Sequence, residues 1–185
     1  MRLSIFLIIF LLAGCSLPRI IVLNDPLDAR QHNDLGVSYQ QRGEIDLALR
    51  EYERAAEMAD DWARPLINRG NALAARGDLR QAWKSYLLAL RREPYNAEAM
   101  NNLAWVLLQA GETDKALEWA ENAAAETPRD GAILDTLAAV QIARQDYPSA
   151  RLTVERALLL ELDPPLREEL RQKQAKLEMM KMTED

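Results

Sequence analysis

Side chains that could do covalent chemistry are few in this chain of 185 residues. His32 is the only histidine and Cys15 the only cysteine, which excludes a multi-histidine metal site and an internal disulfide. Acidic pairs such as Asp60-Asp61 are solvated charges, and no phosphate-binding glycine loop or nucleophile elbow is present. The sequence therefore predicts no enzyme activity, no catalytic or metal site and no cofactor, and it predicts His32 to be a packed residue of the first helix.

The chemistry open to Cys15 depends on the residues before it. Residues 3–13 are apolar and follow Arg2. This stretch is too short for a spanning helix, which needs about 20 residues, and it indicates a secretory signal. Its end, Leu12-Ala13-Gly14-Cys15, resembles the lipobox of bacterial lipoprotein precursors. The resemblance implies a signal peptide over 1–14, lipidation of the Cys15 thiol and a lipidated tether over 15–27; the alternative is a free thiol.

Lipid would hold the chain to a membrane that its own charge does not attract. With 23 basic and 29 acidic residues the net charge is −6, which excludes a nucleic-acid footprint and adhesion to an anionic bilayer. Each buried acyl methylene contributes about 0.8 kcal/mol, so two or more chains anchor a protein stably. Ser16 replaces the Asp that favours inner-membrane retention in such lipoproteins. The resemblance thus implies an outer-membrane lipoprotein of a bacterial cell envelope, facing the periplasm.

The elements that position these residues recur every 34 residues, which is the separation of Ala48 and Ala82. A period of this length marks a stacked array of one supersecondary unit. Four units are predicted, at 29–62, 63–96, 97–130 and 131–164, each with two amphipathic helices. One unit alone buries too little apolar surface to offset its conformational entropy, so the units must stack. The period is carried by two columns of alanine: Ala48, Ala82, Ala116 and Ala150, and Ala55, Ala89, Ala123 and Ala157.

Small residues mark the turns and the close contacts of each unit. Gly43, Gly77 and Gly111 suit the left-handed residue that ends a first helix, whereas Gln145 stands there in unit four. Glycine or alanine at positions 36, 70, 104 and 138 allows the two helices of a unit to approach. Large side chains are expected to fill the spaces between them: Tyr39, Tyr52, Trp83, Tyr86, Leu103 and Leu117.

These units resemble tetratricopeptide repeats, most fully in unit two. The resemblance implies an all-α, right-handed α-solenoid of about four helix pairs over residues 28–164. A capping helix over 163–182 is expected to cover the last pair; the alternative is a coiled-coil partner helix. Arg69 in place of Leu and Gln141 in place of a large apolar residue depart from the pattern. The matching residues of unit two are Asn68, Gly70, Asn71, Ala72, Gly77, Asp78, Ala82, Tyr86, Ala89, Leu90 and Pro94.

In this family the first helix of each pair lines the concave face, which implies where a partner would bind. Side-chain amides both donate and accept hydrogen bonds, so they can hold the backbone of an extended peptide whatever its side chains. Trp105 adds an anchor surface. The alternative is that the amides face water and Trp105 belongs to the core. The predicted groove residues are Asn33, Asn68, Asn71, Asn101, Asn102 and Trp105.

We therefore expect a membrane-anchored scaffold that binds protein or peptide partners in a concave groove and supports assembly of a cell-envelope complex. It resembles the class of lipoproteins that includes pilotins of pilus secretins. The alternatives are a periplasmic client-binding, chaperone-like module and a non-catalytic accessory subunit of an envelope enzyme or pilus system. Neither nucleic acid nor a small-molecule substrate is expected. The β-branched run Ile20–Leu23 covers the first repeat or offers a strand to a partner.

Overall fold

A computed structural model describes residues 25–184, with side chains through residue 180. The signal peptide, Cys15 and the run Ile20–Leu23 lie outside these residues. The described part is all α-helical, and none of its helices is long and apolar enough to cross a membrane. Its nine helices are α1 (Ala29–Gln41), α2 (Ile45–Met58), α3 (Arg64–Ala75), α4 (Leu79–Arg92), α5 (Ala97–Gln109), α6 (Thr113–Glu126), α7 (Gly131–Ala143), α8 (Tyr147–Leu158) and α9 (Pro164–Glu184).

Helices α1 to α8 form four hairpins, and each hairpin packs on the next one along the chain. All eight alanines of the two predicted columns are fully buried in these contacts. A methyl group is the smallest side chain that still favours a helix, so two helices can approach closely wherever the columns meet a neighbour. The all-α repeat fold expected from the period of the alanine columns is confirmed.

The turn inside each hairpin has a left-handed residue. Gly43, Gly77 and Gly111 have φ of 77°, 89° and 77°, and Gln145 in the fourth hairpin has φ of 62°. A residue without Cβ adopts this conformation freely, whereas Gln145 carries a steric cost there. The backbone geometry of the turn is therefore the same in all four hairpins, although the residue type is not.

The helices that carry the predicted amides lie on the inner side of the array. Backbone contacts join each first helix to the next, α1 to α3, α3 to α5 and α5 to α7. Within the described part, no backbone contact joins successive second helices. The array is therefore tighter along the first helices, which line its inner face, and more open along the second helices, which line its outer face.

Helix α9 packs against both α7 and α8, as the first helix of a fifth unit would. Asp163 caps it, because its Oδ1 accepts from the Leu166 amide at 3.0 Å. Its own Leu170 and Leu177 are fully buried, and most of its other described side chains are exposed. It covers the last hairpin with one apolar stripe and turns a charged surface to solvent, which suits a capping role.

Arg69 and Gln141, which depart from the repeat pattern, each form a hydrogen bond with a buried polar side chain. Arg69 Nη1 donates to the buried Ser85 hydroxyl at 2.7 Å. The Thr153 hydroxyl donates to Gln141 Oε1 at 2.8 Å, with both side chains buried. These partners satisfy groups that would otherwise destabilise the interior.

His32 lies in the core, whereas Trp83 does not. His32 is packed as expected, with its Nδ1 2.7 Å from Glu51 Oε2. The expectation that Trp83 fills the core is wrong, because this side chain is 37% exposed. The buried Val106 of the next unit lines the same recess as this indole.

Candidate partner-binding groove

The predicted groove residues all lie on the first helices of three successive units. Asn33 is on α1, Asn68 and Asn71 are on α3, and Asn101, Asn102 and Trp105 are on α5. The hydrophobic stripe of each helix faces its own hairpin partner, so the opposite side of these helices is left on the inner face. The indole of Trp105 is 41% exposed there.

Side-chain amides bond to one another from helix to helix along this face. Asn68 Nδ2 donates to Asn33 Oδ1 at 2.8 Å, and Asn102 Nδ2 donates to Asn71 Oδ1 at 2.9 Å. The Tyr86 hydroxyl donates to the same Asn71 oxygen at 2.7 Å. These bonds fix the rotamers of the amides, so the groove floor is preorganised before any ligand arrives.

Two recesses open on the inner face and share Asn71. Their volumes are about 350 Å³ and 290 Å³. The two recesses lie at successive unit interfaces, so the binding surface repeats with the array. The first is lined by Val37, Gln40, Gln41, Tyr52, Asn68 and Asn71. The second is lined by Asn71, Ala74, Tyr86, Asn101, Asn102, Trp105 and Thr136.

The amides are not equally available to a ligand. Asn33 is only 6% exposed and serves mainly to hold Asn68. Asn68 and Asn102 are partly exposed, and no described group bonds the Oδ1 of Asn68. The Oδ1 of Asn101 is buried and has no hydrogen-bond partner among the described residues. Because this oxygen is buried, the amides open to a ligand are those of Asn68 and Asn102.

The residues that line the two recesses are polar or apolar and carry no charge at neutral pH. The Tyr52 hydroxyl donates to Gln40 Oε1 at 2.8 Å, and burial raises the pKa of Tyr52 to about 12. Burial, with the nearby Glu98 carboxylate, also raises the pKa of Tyr86. At the far end of the groove, burial raises the pKa of Asp135. Lys173 Nζ lies 2.5 Å from this carboxylate and offsets part of the rise. Such a surface suits peptide backbone better than a charged side chain.

Two features of the groove were not found from the sequence. The hydroxyl groups of Tyr52 and Tyr86 reach the floor, although both rings belong to the core. The signal that could have found them is the equal spacing from Gly36 to Tyr52 and from Gly70 to Tyr86. Among the described residues, no cluster of three or more metal-binding side chains is present.

Comparisons with known proteins agree on the repeat. Residues 67–131 and residues 29–54 each match a tetratricopeptide-repeat family. No curated protein matches the chain by sequence. The repeats of such families are generally non-catalytic and take part in protein–protein interaction.

Solved structures with this fold share little sequence with the chain. A tetratricopeptide-repeat protein from Parabacteroides merdae has a TM-score of 0.70 at 18% identity, over 84% of this chain and 60% of that one. PilF of Pseudomonas aeruginosa has a TM-score of 0.69 at 23% identity, over 84% and 76%. YrrB, which has an unusual peptide-binding site, has a TM-score of 0.68 at 17% identity, over 84% and 78%. The chain thus spans less than two thirds of the Parabacteroides protein. With the matched repeat families, these likenesses identify residues 29–54 and 67–131 as tetratricopeptide repeats within one all-α helical array.

Proposed function

We propose that this chain is a membrane-anchored scaffold that holds a protein or peptide partner along its inner face. The observation that carries the proposal is the ordered row of amides on α3 and α5, which ends at the exposed indole of Trp105. A fixed row of donors and acceptors beside an aromatic anchor is an arrangement suited to peptide recognition.

The geometry of the row favours an extended ligand. Packed helices lie about 8–10 Å apart, and an extended chain advances about 3.3 Å per residue. About three ligand residues therefore cross each unit interface, and about six cross both recesses. The uncharged floor accepts backbone groups, and the Trp105 indole accepts one apolar side chain. YrrB offers a precedent for peptide binding on a similar fold.

The anchor and the compartment are part of the same proposal. The Leu12-Ala13-Gly14-Cys15 sequence supports lipidation at Cys15, and Ser16 supports placement in the outer membrane facing the periplasm. Acyl chains would hold an acidic body at a surface that does not attract it. The groove would then be held close to other envelope proteins, whose assembly into a complex the scaffold supports.

Alanine substitution of the row tests the groove. The Asn68→Ala and Asn102→Ala double variant should weaken binding of the partner captured by the wild-type chain about tenfold or more. Tyr95→Ala is the matched control, because Tyr95 is 76% exposed and lies on a loop outside both recesses. Unchanged affinity in the double variant, at wild-type helicity by circular dichroism, would rule out the groove.

Fractionation of cells tests the anchor separately. Cys15→Ser should release the chain from the membrane fraction, whereas Ser16→Ala should leave it there. Retention of the Cys15→Ser variant after a carbonate wash would refute lipidation at this residue without affecting the groove assignment. A wild-type chain that retains many clients weakly, instead of one partner at fixed stoichiometry, would favour the client-binding alternative.

A further inference from the structure

An ion pair recurs along the edge of the array where the hairpins turn. Arg76 Nη1 reaches the Asp46 carboxylate of the preceding unit at 2.7 Å, and its Nη2 lies 2.6 Å from Asp78 Oδ2. Arg144 pairs in the same way with Asp114 of the unit before it. We call this cross-unit pair the edge latch. It closes the interface between units one and two, and again between units three and four.

The edge latch is absent from the central interface of the described array. Ala110 stands one repeat after Arg76 and one repeat before Arg144, and Arg80 stands one repeat after Asp46. Both members of the pair are therefore replaced, and the acidic position has become basic. Arg80 makes no ion pair with any described side chain, and the nearby Glu112 carboxylate contacts Lys115 at 2.5 Å. The Arg80 guanidinium is thus left at this edge without an ion pair to any described side chain, although Glu112 lines the same recess.

A recess of about 470 Å³, which we call the Trp83 recess, lies at the interface that lacks the latch. One of its lining residues is Trp83, at the position that Leu49 and Leu117 take in the neighbouring units. It shares no lining residue with the two recesses of the inner groove. It is lined by Leu79, Arg80, Trp83, Val106, Leu107, Ala110 and Glu112.

Stability alone does not account for this arrangement. Asp46 and Asp114 are more than four-fifths exposed, and exposed ion pairs contribute little to folding. The array therefore loses little stability without the latch. Its absence leaves apolar surface and an indole in contact with water. Tryptophan and arginine beside such a recess are the residue types that dominate protein interfaces.

We propose that the Trp83 recess is a second docking site, separate from the groove, for an acidic partner segment in which an apolar side chain adjoins a carboxylate. The carboxylate takes the place of the missing aspartate and pairs with Arg80. The apolar side chain fills the space that the Arg76 and Arg144 side chains occupy at the other interfaces. Lys84 lies one turn along α4 from Arg80 and adds positive charge on the same side. It makes no ion pair with a side chain that the structure describes.

Rebuilding the latch supplies the test. The Arg80→Asp and Ala110→Arg double variant restores the pair that the other two interfaces contain, and it should fold with an unchanged urea midpoint. Arg80→Gln is the second variant, because it removes the charge without filling the recess. The probe is a synthetic peptide with a Leu-Phe pair flanked by aspartates, and the control peptide carries lysines in place of the aspartates. Both are titrated into the ¹⁵N-labelled full-length chain bearing Cys15→Ser.

The indole N–H signals separate the two sites. The acidic peptide should shift the Trp83 signal and leave the Trp105 signal of the groove in place. The double variant should weaken this binding about tenfold or more, Arg80→Gln should weaken it also, and the lysine peptide should give no shift. A shift of Trp105 instead, equal binding by the double variant, or no binding at millimolar peptide would overturn the proposal. So would a Trp83 signal that depends on protein concentration alone, since a second copy of the chain would then be the occupant.

Discussion

The ring of Tyr86 lies directly against the backbone of Gly70. A Cβ built at Gly70 would lie 2.4 Å from Tyr86 Cε1, and in unit one a Cβ at Gly36 would lie 2.6 Å from Tyr52 Cε1. Contact of this kind sets the distance between α3 and α4. It also aims the Tyr86 hydroxyl at Asn71, so the packing of the hairpin positions one of the groove amides.

A methyl group at position 70 should therefore destabilise the protein. Gly70→Ala should lower the free energy of unfolding by about 1–3 kcal/mol, because the buried ring has to move. Alanine favours a helix by about 1 kcal/mol over glycine, so a rise in the urea midpoint would show that the ring yields without cost. The matched control is Ala104→Gly, since the fully buried Ala120 stands in place of the tyrosine in unit three. That control should lose about 1–2 kcal/mol, because it lowers helix propensity and removes one fully buried methyl group.

The turn of the fourth hairpin offers a stabilising change. Gln145 has φ of 62°, and a side chain in that region costs about 1–2 kcal/mol. Gln145→Gly removes this cost, but glycine also raises the conformational entropy of the unfolded chain. The net gain in the free energy of unfolding should be about 0.5–1 kcal/mol. Gly111→Gln is the reverse change, at a site where an added Cβ meets nothing within 4 Å. Urea unfolding should move in opposite directions for the two variants, and movement in the same direction would contradict the conformational explanation.

The capping role of α9 can be measured at its buried stripe. Leu170 is fully buried, so Leu170→Ala should lower the free energy of unfolding by about 2–5 kcal/mol. Met179 is on the same helix and is 70% exposed, so Met179→Ala should change it by less than about 0.5 kcal/mol. Equal effects of the two variants in thermal or urea unfolding would show that α9 is not docked on α7 and α8.

Alkaline pH should weaken the array through its buried tyrosines. Burial raises the pKa of Tyr52 from 10.0 to about 12, so the folded state holds this proton more tightly than the unfolded state. The stabilisation is complete below pH 10 and is lost as the pH rises towards 12. By pH 11 the loss should be about 1 kcal/mol more for the wild type than for Tyr52→Phe. Parallel unfolding curves for the two proteins between pH 8 and pH 11 would contradict this.

The repeat was predictable from the sequence because its signal is local and periodic. The alanine columns and the turn glycines each follow from one residue type at one spacing, and every member lies where the period requires. The placement of Asn68 and Asn102 on the inner face followed from the family resemblance. Their bonds to Asn33 and Asn71 did not, because these depend on how far adjacent helices are tilted and offset.

Trp83 shows the limit of reasoning from periodicity. At its position the column contains Leu49 and Leu117, which predicts a core residue. In a second column, Ala110 stands where the neighbouring units have Arg76 and Arg144, and it lines the recess beside the indole. Both substitutions are visible in the sequence, but only their positions in space show that they affect the same recess.

Site-specific photocross-linking of the purified partner tests the central proposal most directly. p-Benzoylphenylalanine placed at Trp105 should cross-link to the partner in high yield, whereas the same group placed at the exposed outer-face residue Glu118 should give none. Cross-links from Glu118 and none from Trp105 would show that the partner binds the outer face, and the assignment of the inner groove would be wrong.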